Sequence, residues 1–324
     1  MEPPIELTYA SSGVDILASE AATKALIDSI GGIDQNSFAG MLDIGDSYLA
    51  VSTDGVGTKI LVAEYLSDYS TIGIDCIAMN VNDLIAAGIK PLAFVDYLAM
   101  GTPNKEISRQ IGIGLSLGIQ EASITLLGGE TAIIPDIVSG VDLAGTCVGI
   151  SPKKDVFSSK SKPGDVLVGW GSSGLHSNGY TLARKAILAN FEYSHHLTNS
   201  TRTIGELLLE PTRIYSDLLP FLQDQKVNAA AHITGGGWSN IKRMGDSLNY
   251  VINNPLKCNS IFDFIQESGN ISDKEMYNTF NMGLGFVASL PEENASNLSK
   301  STGGTIIGHV TSGSGKILFN NMSI

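Results

Sequence analysis

The stretch "VSTDGVGTKI", residues 51–60, brings an aspartate, two glycines, a threonine and a lysine into one short turn after an apolar run. Glycines let backbone N–H groups approach an anion, Lys59 offers a cation to a phosphate, and Asp54 suits the magnesium ion that travels with a nucleotide. A Walker A loop would need wider glycine spacing and a Ser or Thr directly after its lysine, but Ile60 follows Lys59. On these ten residues alone the plainer reading is a strand turn with Asp54 as a cap and Lys59 in solvent. The flanking sequence decides between them.

From "DSYLAVSTDG" onward, short β-branched runs alternate with helix-like stretches. "YLAVST" predicts a strand, "GIDCIAMNVNDLIAAG" a helix closed by Gly88, "PLAFVDYLAM" a strand, "KEISRQIGIGLSLGIQEA" a helix, and "SITLLGGE" and "VDLAGTCVGI" strands. Residues 151–165, "SPKKDVFSSKSKPGD", are rich in Ser, Lys, Pro and Gly and mark a boundary. After it come the strand "VLVGWG", helices near "NGYTLARKAILAN" and "PTRIYSDLLPFLQDQ", the glycine turn "ITGGGWSNI", and strands "GFVASL" and "TIIGHV". The expectation is a two-domain α/β (α+β) chain, residues 1–155 and 156–324.

Composition limits the function. A hydrophobic fraction of 43% with 16% charged residues fits a globular protein, and no uncharged apolar run approaches membrane-spanning length. The N-terminal "MEPPIELTYASSG" has no basic run ahead of an apolar core, so it does not read as a secretory leader. Three scattered cysteines form no ligand pattern and suit a reducing cytoplasm. The net charge of −13 falls on one half: residues 1–155 hold 20 acidic and 7 basic side chains, and residues 156–324 hold 13 of each. A basic face for nucleic acid is not expected.

Within the acidic half, Asp54 follows a strand, Asp75 and Asp83 lie eight residues apart on one helix, Asp96 is inside a strand, and Glu130 follows "LLGG". Eight residues is a little over two turns, so Asp75 and Asp83 share a side of the helix. Each acid alone reads as a cap or a surface charge. As a set, with too few lysines and arginines to pair them, they read as magnesium ligands near phosphate oxygens. "GWGSSG", residues 169–174, has GxGxxG spacing, but no second strand ending in a ribose-binding acid follows, which argues against NAD. It leads instead to His176, Ser177 and Asn178 at a helix start. A lone histidine is as often structural as catalytic. "HITGGGW", residues 232–238, suits a loop close to a phosphate or a plain flexible turn.

In order along the chain, "YASSGVD", "STDGVGTK", "IGIDCIAMNVNDL", "FVDYLA", "LLGGETA", "AGTCVGI", "GSSGLHSNGY", "PTRIY", "HITGGGW" and "EMYNTFNMGLGF" resemble the phosphoribosylformylglycinamidine cyclo-ligase family, also called aminoimidazole ribonucleotide synthetases. The broader superfamily includes thiamine monophosphate kinase, selenophosphate synthetase, the hydrogenase-maturation dehydratase and formylglycinamidine synthetase. The resemblance implies a homodimer whose N-terminal sheets join in a shared barrel, with ATP near the dimer and domain interface. It implies a C-terminal α/β domain with a glycine-rich loop. The implied reaction is ATP-dependent closure of formylglycinamidine ribonucleotide to aminoimidazole ribonucleotide, with release of ADP and phosphate, in cytoplasmic purine biosynthesis. ATP and Mg2+ are the implied cofactors, with K+ a further candidate.

On this reading Asp54, Asp75, Asp83 and Glu130 hold Mg2+, and Gly55, Gly57, Thr58, Lys59, Gly128 and Gly129 cradle the nucleotide. His176 polarises the amide or moves a proton, Asn178 orients the substrate, and Lys59 serves the phosphoryl transfer. Ser177, Arg213, Thr234, Gly235, Gly236 and Gly237 are assigned to the substrate. Two departures stand out: Ala10 replaces the lysine family members often carry after the tyrosine of the first motif, and Ile133–Asp136 replaces Glu-Met-Pro-Gly. The competing readings are a non-catalytic nucleotide sensor and a phosphotransferase of the thiamine monophosphate kinase kind.

Overall fold

The computed structural model describes residues 6–30, 38–198, 200–320 and 322–324. The first five residues of the stretch read above for a leader lie outside these. The first half contains α1 (Ile16–Ile30), β1 (Gly40–Asp43), β2 (Ser47–Gly55), α2 (Ile60–Leu66), α3 (Ile72–Ala86), β3 (Lys90–Met100), α4 (Lys105–Ala122), β4 (Thr125–Ile133) and β5 (Val141–Pro152). Its five strands form one sheet in the order β1-β2-β5-β3-β4, antiparallel throughout except for the β3/β4 pair.

Strand parity sorts this sheet into two faces. Ala50 and Ser52 of β2, Phe94 of β3 and Cys147 of β5 are buried on the side that α3 covers. Val51, Val95 and Tyr97 point to the other side and are 39–44% exposed. Helix α3 is apolar almost all round, because it lies between this sheet and the second half of the chain, where it meets β7. A Cβ on Gly73 of α3 would stand 2.1 Å from the backbone of Leu115 in α4, so only glycine admits this crossing. Gly88, at φ +77°, ends the helix as the sequence predicts.

The second half comprises β6 (Val166–Gly171), α5 (Tyr180–Leu188), α6 (Ile204–Leu208), α7 (Leu219–Asp224), β7 (Ala229–His232), β8 (Leu248–Ile252), α8 (Ser260–Gly269), α9 (Asp273–Thr279), β9 (Leu284–Leu290), α10 (Glu292–Thr302), β10 (Thr305–Ser312), β11 (Ile317–Phe319) and β12 (Met322–Ser323). They build a sheet in the order β12-β11-β8-β10-β6-β9-β7. β6 runs antiparallel to both of its neighbours, so the glycines after it open no parallel βαβ crossover of the dinucleotide kind. The first sheet ends at Pro152 and the second begins at Val166. Among the described residues no helix is long and apolar enough to cross a membrane.

One predicted element differs. The helix expected near "PTRIYSDLLPFLQDQ" begins as α7 only at Leu219, after a 3-10 turn at Ser216–Leu218. The cause lies in α3: Asp75 accepts the Thr212 N–H at 2.8 Å, and Asn82 accepts the Tyr215 N–H at 2.9 Å. Side chains from another element take donors that a helix would have used.

Candidate active site

Two segments converge on the side of α3 that faces the second half. Asp54 lies at the end of β2, where one carboxylate oxygen accepts the Gly55 N–H at 2.7 Å. Burial, followed by repulsion from the Asp83 carboxylate, pushes Asp54 up to about 6 against the hydrogen bond from Gly55. Asp83, one turn from the end of α3, accepts from Ser52 at 3.5 Å and pairs with His232 Nδ1 at 3.0 Å. Asn80 donates to the Asp54 carbonyl at 3.2 Å, and its own Oδ1 is buried with no hydrogen-bond partner among the described residues. Two carboxylates close enough to repel, beside an unpaired amide oxygen, form an oxygen-rich set that suits a hard cation such as Mg2+.

The other predicted acids stand elsewhere. The sheet register aligns Asp54, Gly145, Asp96 and Gly129 in one row, and Gly55, Ala144, Tyr97 and Glu130 in the next. Adjacent rows point to opposite faces, so Glu130 is on the open face with Tyr97 while Asp54 is on the α3 face. Gly128 and Gly129 lie in exposed β4, where a Cβ on Gly129 would strike the Asp96 carboxylate at 2.3 Å. Among the described residues, no three of His, Cys, Asp and Glu gather as a metal-holding group within the chain.

Lys59 and Asp75, expected at phosphate and metal, are fully buried against each other. The Lys59 ammonium meets the two Asp75 oxygens at 2.9 and 2.8 Å and donates to the Glu210 carbonyl at 2.7 Å. Burial draws the Lys59 pKa down, and the Asp75 charge opposes it. Gly57 turns at φ +69°, and the Thr58 hydroxyl sits 3.0 Å from that of Thr181.

Across α3 is the glycine loop. Gly236 and Gly237 take φ of +88° and +54°, and the loop continues into a 3-10 helix, Gly237–Met244. Asn240 holds the carbonyls of Gly235 and Gly237 at 3.0 and 2.8 Å, Ser239 holds that of Gly236 at 2.6 Å, and the Thr234 hydroxyl faces Asn240. The loop borders a cleft of about 910 Å³ that is also lined by Tyr9, Arg243, Glu275 and Asn278. Burial lowers the Arg243 pKa, and the Asp83 charge opposes this. Tyr9 belongs to the "YASSGVD" segment, and its N–H donates to Glu275 at 2.6 Å.

The "GSSGLHSN" segment lies between these groups. Asn178 turns its side-chain oxygen toward Gly235, where an added Cβ would be 3.1 Å away. His176 is 1% exposed, at φ +64°, and its Nε2 accepts the Ser173 N–H at 3.2 Å. Nδ1 is therefore the protonated nitrogen, and it is buried with no hydrogen-bond partner among the described residues. Burial, then His232, Lys59 and Arg213, hold this imidazole well below its usual pKa, so it is neutral. Arg213 lies with its guanidinium 4.9 Å from the Tyr215 ring and 3.8 Å from Asp217. Sequence reasoning gave no role to His232, Arg243, Glu275 or Asn80. The polar run "NVND" in an otherwise apolar helix is the signal that could have marked Asn80.

Two family models match the chain: the AIR synthase related protein N-terminal domain over residues 36–151 and its C-terminal domain over residues 162–319. The phosphoribosylformylglycinamidine cyclo-ligase of Methanosarcina acetivorans is 46% identical over 317 residues, covering 94% of this chain and 95% of that protein. The Pyrococcus horikoshii protein of the same name is 45% identical over 305 residues, 90% of each. Among solved structures, AaThiL complexed with AMPPCP and TMP superposes at a TM-score of 0.71 with 14% identity, covering 96% of both chains. T. maritima PurL complexed with ADP gives 0.58 at 16% identity, covering 91% of this chain and 45% of that one. These structures share the fold, and the sequence relatives are more specific. The chain belongs to the phosphoribosylformylglycinamidine cyclo-ligase family.

Proposed function

We propose that the protein closes the imidazole ring of aminoimidazole ribonucleotide from formylglycinamidine ribonucleotide, converting ATP to ADP and phosphate, as a cytoplasmic enzyme of purine biosynthesis. The observation that carries this reading is the identity of 46% across 94% of the chain to a protein of that name. The cleft lined by Gly235, Gly236 and Arg243, with the Asp83–His232 pair nearby on α3 and β7, supports this reading.

The substrate's amide oxygen is a poor leaving group. Transfer of the γ-phosphoryl group to it forms an imidoyl phosphate, an amidine nitrogen attacks the activated carbon, and phosphate departs. Catalysis of this kind is mostly positioning and charge neutralisation. Asp54 and Asp83, with the Asn80 oxygen, would hold Mg2+, which when bound offsets the charge of the triphosphate oxygens. Thr234, Gly235, Gly236 and Arg243 line the substrate's anionic end, and Asn178 orients the reacting amide opposite Gly235. His176 acts in its neutral form, as a donor from Nδ1. K+ has no assigned residue in this scheme.

Residues 1–155 serve as the nucleotide and dimer domain and residues 156–324 as the substrate domain. The open face of the first sheet carries Val51, Val95 and Tyr97, each 39–44% exposed. Exposed apolar side chains on a sheet face favour a partner, and a second copy covering them would form the shared barrel. Glu130, on that same face, then belongs at the seam between the copies.

The test is a balance. Enzyme, Mg-ATP and formylglycinamidine ribonucleotide should give ADP, free phosphate and the dehydrated cyclic product in equal amounts. Phosphate retained on the product would indicate a phosphotransferase, and nucleotide binding without turnover would indicate a sensor.

A further inference from the structure

We infer that Lys59 and Asp75 form a buried strap between the two halves of the chain, positioning Asn178 for the reaction instead of binding nucleotide or metal. The inference rests on the cyclo-ligase reading above.

The strap joins four segments. Lys59 stands at the end of the turn after β2, and Asp75 lies in the first turn of α3. Asp75 Oδ1 accepts from the Lys59 ammonium, from the Thr212 N–H at 2.8 Å, from the Thr212 hydroxyl at 2.6 Å and from the Ser177 hydroxyl at 3.3 Å. The hydroxyls of Ser177 and Thr212 lie 3.0 Å apart, and Lys59 also holds the Glu210 carbonyl. A single carboxylate, neutralised by a single ammonium, thereby fixes residues 210–212 and Ser177 to the first domain. Ser177 directly precedes Asn178, whose side-chain oxygen packs against Gly235 of the glycine loop. With both charged groups fully buried, neither is presented to a ligand in the cleft. A displacement of about 1 Å at a reacting group can lower turnover roughly 100-fold without weakening binding elsewhere.

The experiment compares the full-length enzyme with Lys59→Met, Asp75→Asn, the double variant and Ser177→Ala. It measures kcat per folded molecule, the Kd for AMPPCP and the Mg2+ concentration giving half-maximal AMPPCP binding. Lys59→Met should lower kcat by about 10- to 100-fold. AMPPCP affinity and the Mg2+ midpoint should stay within about twofold, and the double variant should be no slower than the worse single variant, as for residues acting as one unit. Ser177→Ala removes one hydrogen bond from the strap and should show the same split at several-fold size, which keeps the test decisive if the charged variants do not fold. A tenfold loss of AMPPCP affinity in Lys59→Met, or a shifted Mg2+ midpoint in Asp75→Asn, would overturn the strap and restore ligand roles. An unchanged kcat in the folded variants would also overturn it. A wild-type enzyme that forms no cyclic product would instead sink the reading of function on which the strap depends.

Discussion

Asp54 shows how one residue's place in the sheet sets its chemistry. It ends β2 on the helix-covered face, where burial and Asp83 hold its carboxyl near 6. A carboxylate raised above its unfolded value of about 3.9 is protonated more readily in the folded state. Its ionisation therefore destabilises the metal-free fold, by an amount that grows as pH rises from about 4 to about 6 and then stays constant. Asp54→Asn should accordingly stabilise the metal-free protein at pH 7 by roughly 2 kcal/mol and do almost nothing at pH 3.5. Thermal melts in a chelator would show this, and equal effects at both pH values would contradict the assignment. With Mg2+ and ATP present the same substitution should abolish most turnover. The sequence marked Asp54 as a site residue because it lies at a strand end. It could not show that Lys59, five residues on, turns inward, since its partners Asp75 and Glu210 belong to other segments.

The glycine loop and α3 carry predictions that belong to elements. A methyl group on Gly237 would meet the Tyr277 carbonyl at 2.3 Å and the Phe280 carbonyl at 2.7 Å, at a φ of +54°. Gly237→Ala should cost 2 kcal/mol or more in stability, roughly the sum of overpacking and a left-handed backbone. Gly235 takes no left-handed turn, and a methyl there meets only the Asn178 oxygen at 3.1 Å, a side-chain atom that can move. Gly235→Ala should leave the melting midpoint within about 2 °C while lowering kcat at least tenfold. Chemical denaturation and steady-state kinetics on the two variants would separate these effects, and equal stability losses would refute the geometry. Elements with strong local signals were legible: α3 from its apolar pattern and Gly88, β6 from "VLVGWG". The start of α7 was not, because Asp75 and Asn82 capture the backbone donors at Thr212 and Tyr215.

At the scale of the molecule, the first sheet presents an apolar face with Glu130 standing on it. Sequence shows an acid after "LLGG", but only strand pairing shows that it points away from Asp54. Val95→Asp combined with Tyr97→Asp should convert a particle of twice the chain's mass into a monomer with little turnover, as read by sedimentation and by product formation. A variant that stays dimeric, or works fully as a monomer, would contradict a shared site at this face. The central claim of the proposed function is that the chain activates an amide oxygen by phosphorylation and then closes the ring. The most direct measurement uses formylglycinamidine ribonucleotide labelled with 18O in the formyl amide carbonyl, followed by mass analysis of the phosphate released from Mg-ATP. The account predicts one 18O in each phosphate, appearing in step with the cyclic product. Cyclic product formed with unlabelled phosphate and labelled water would contradict it.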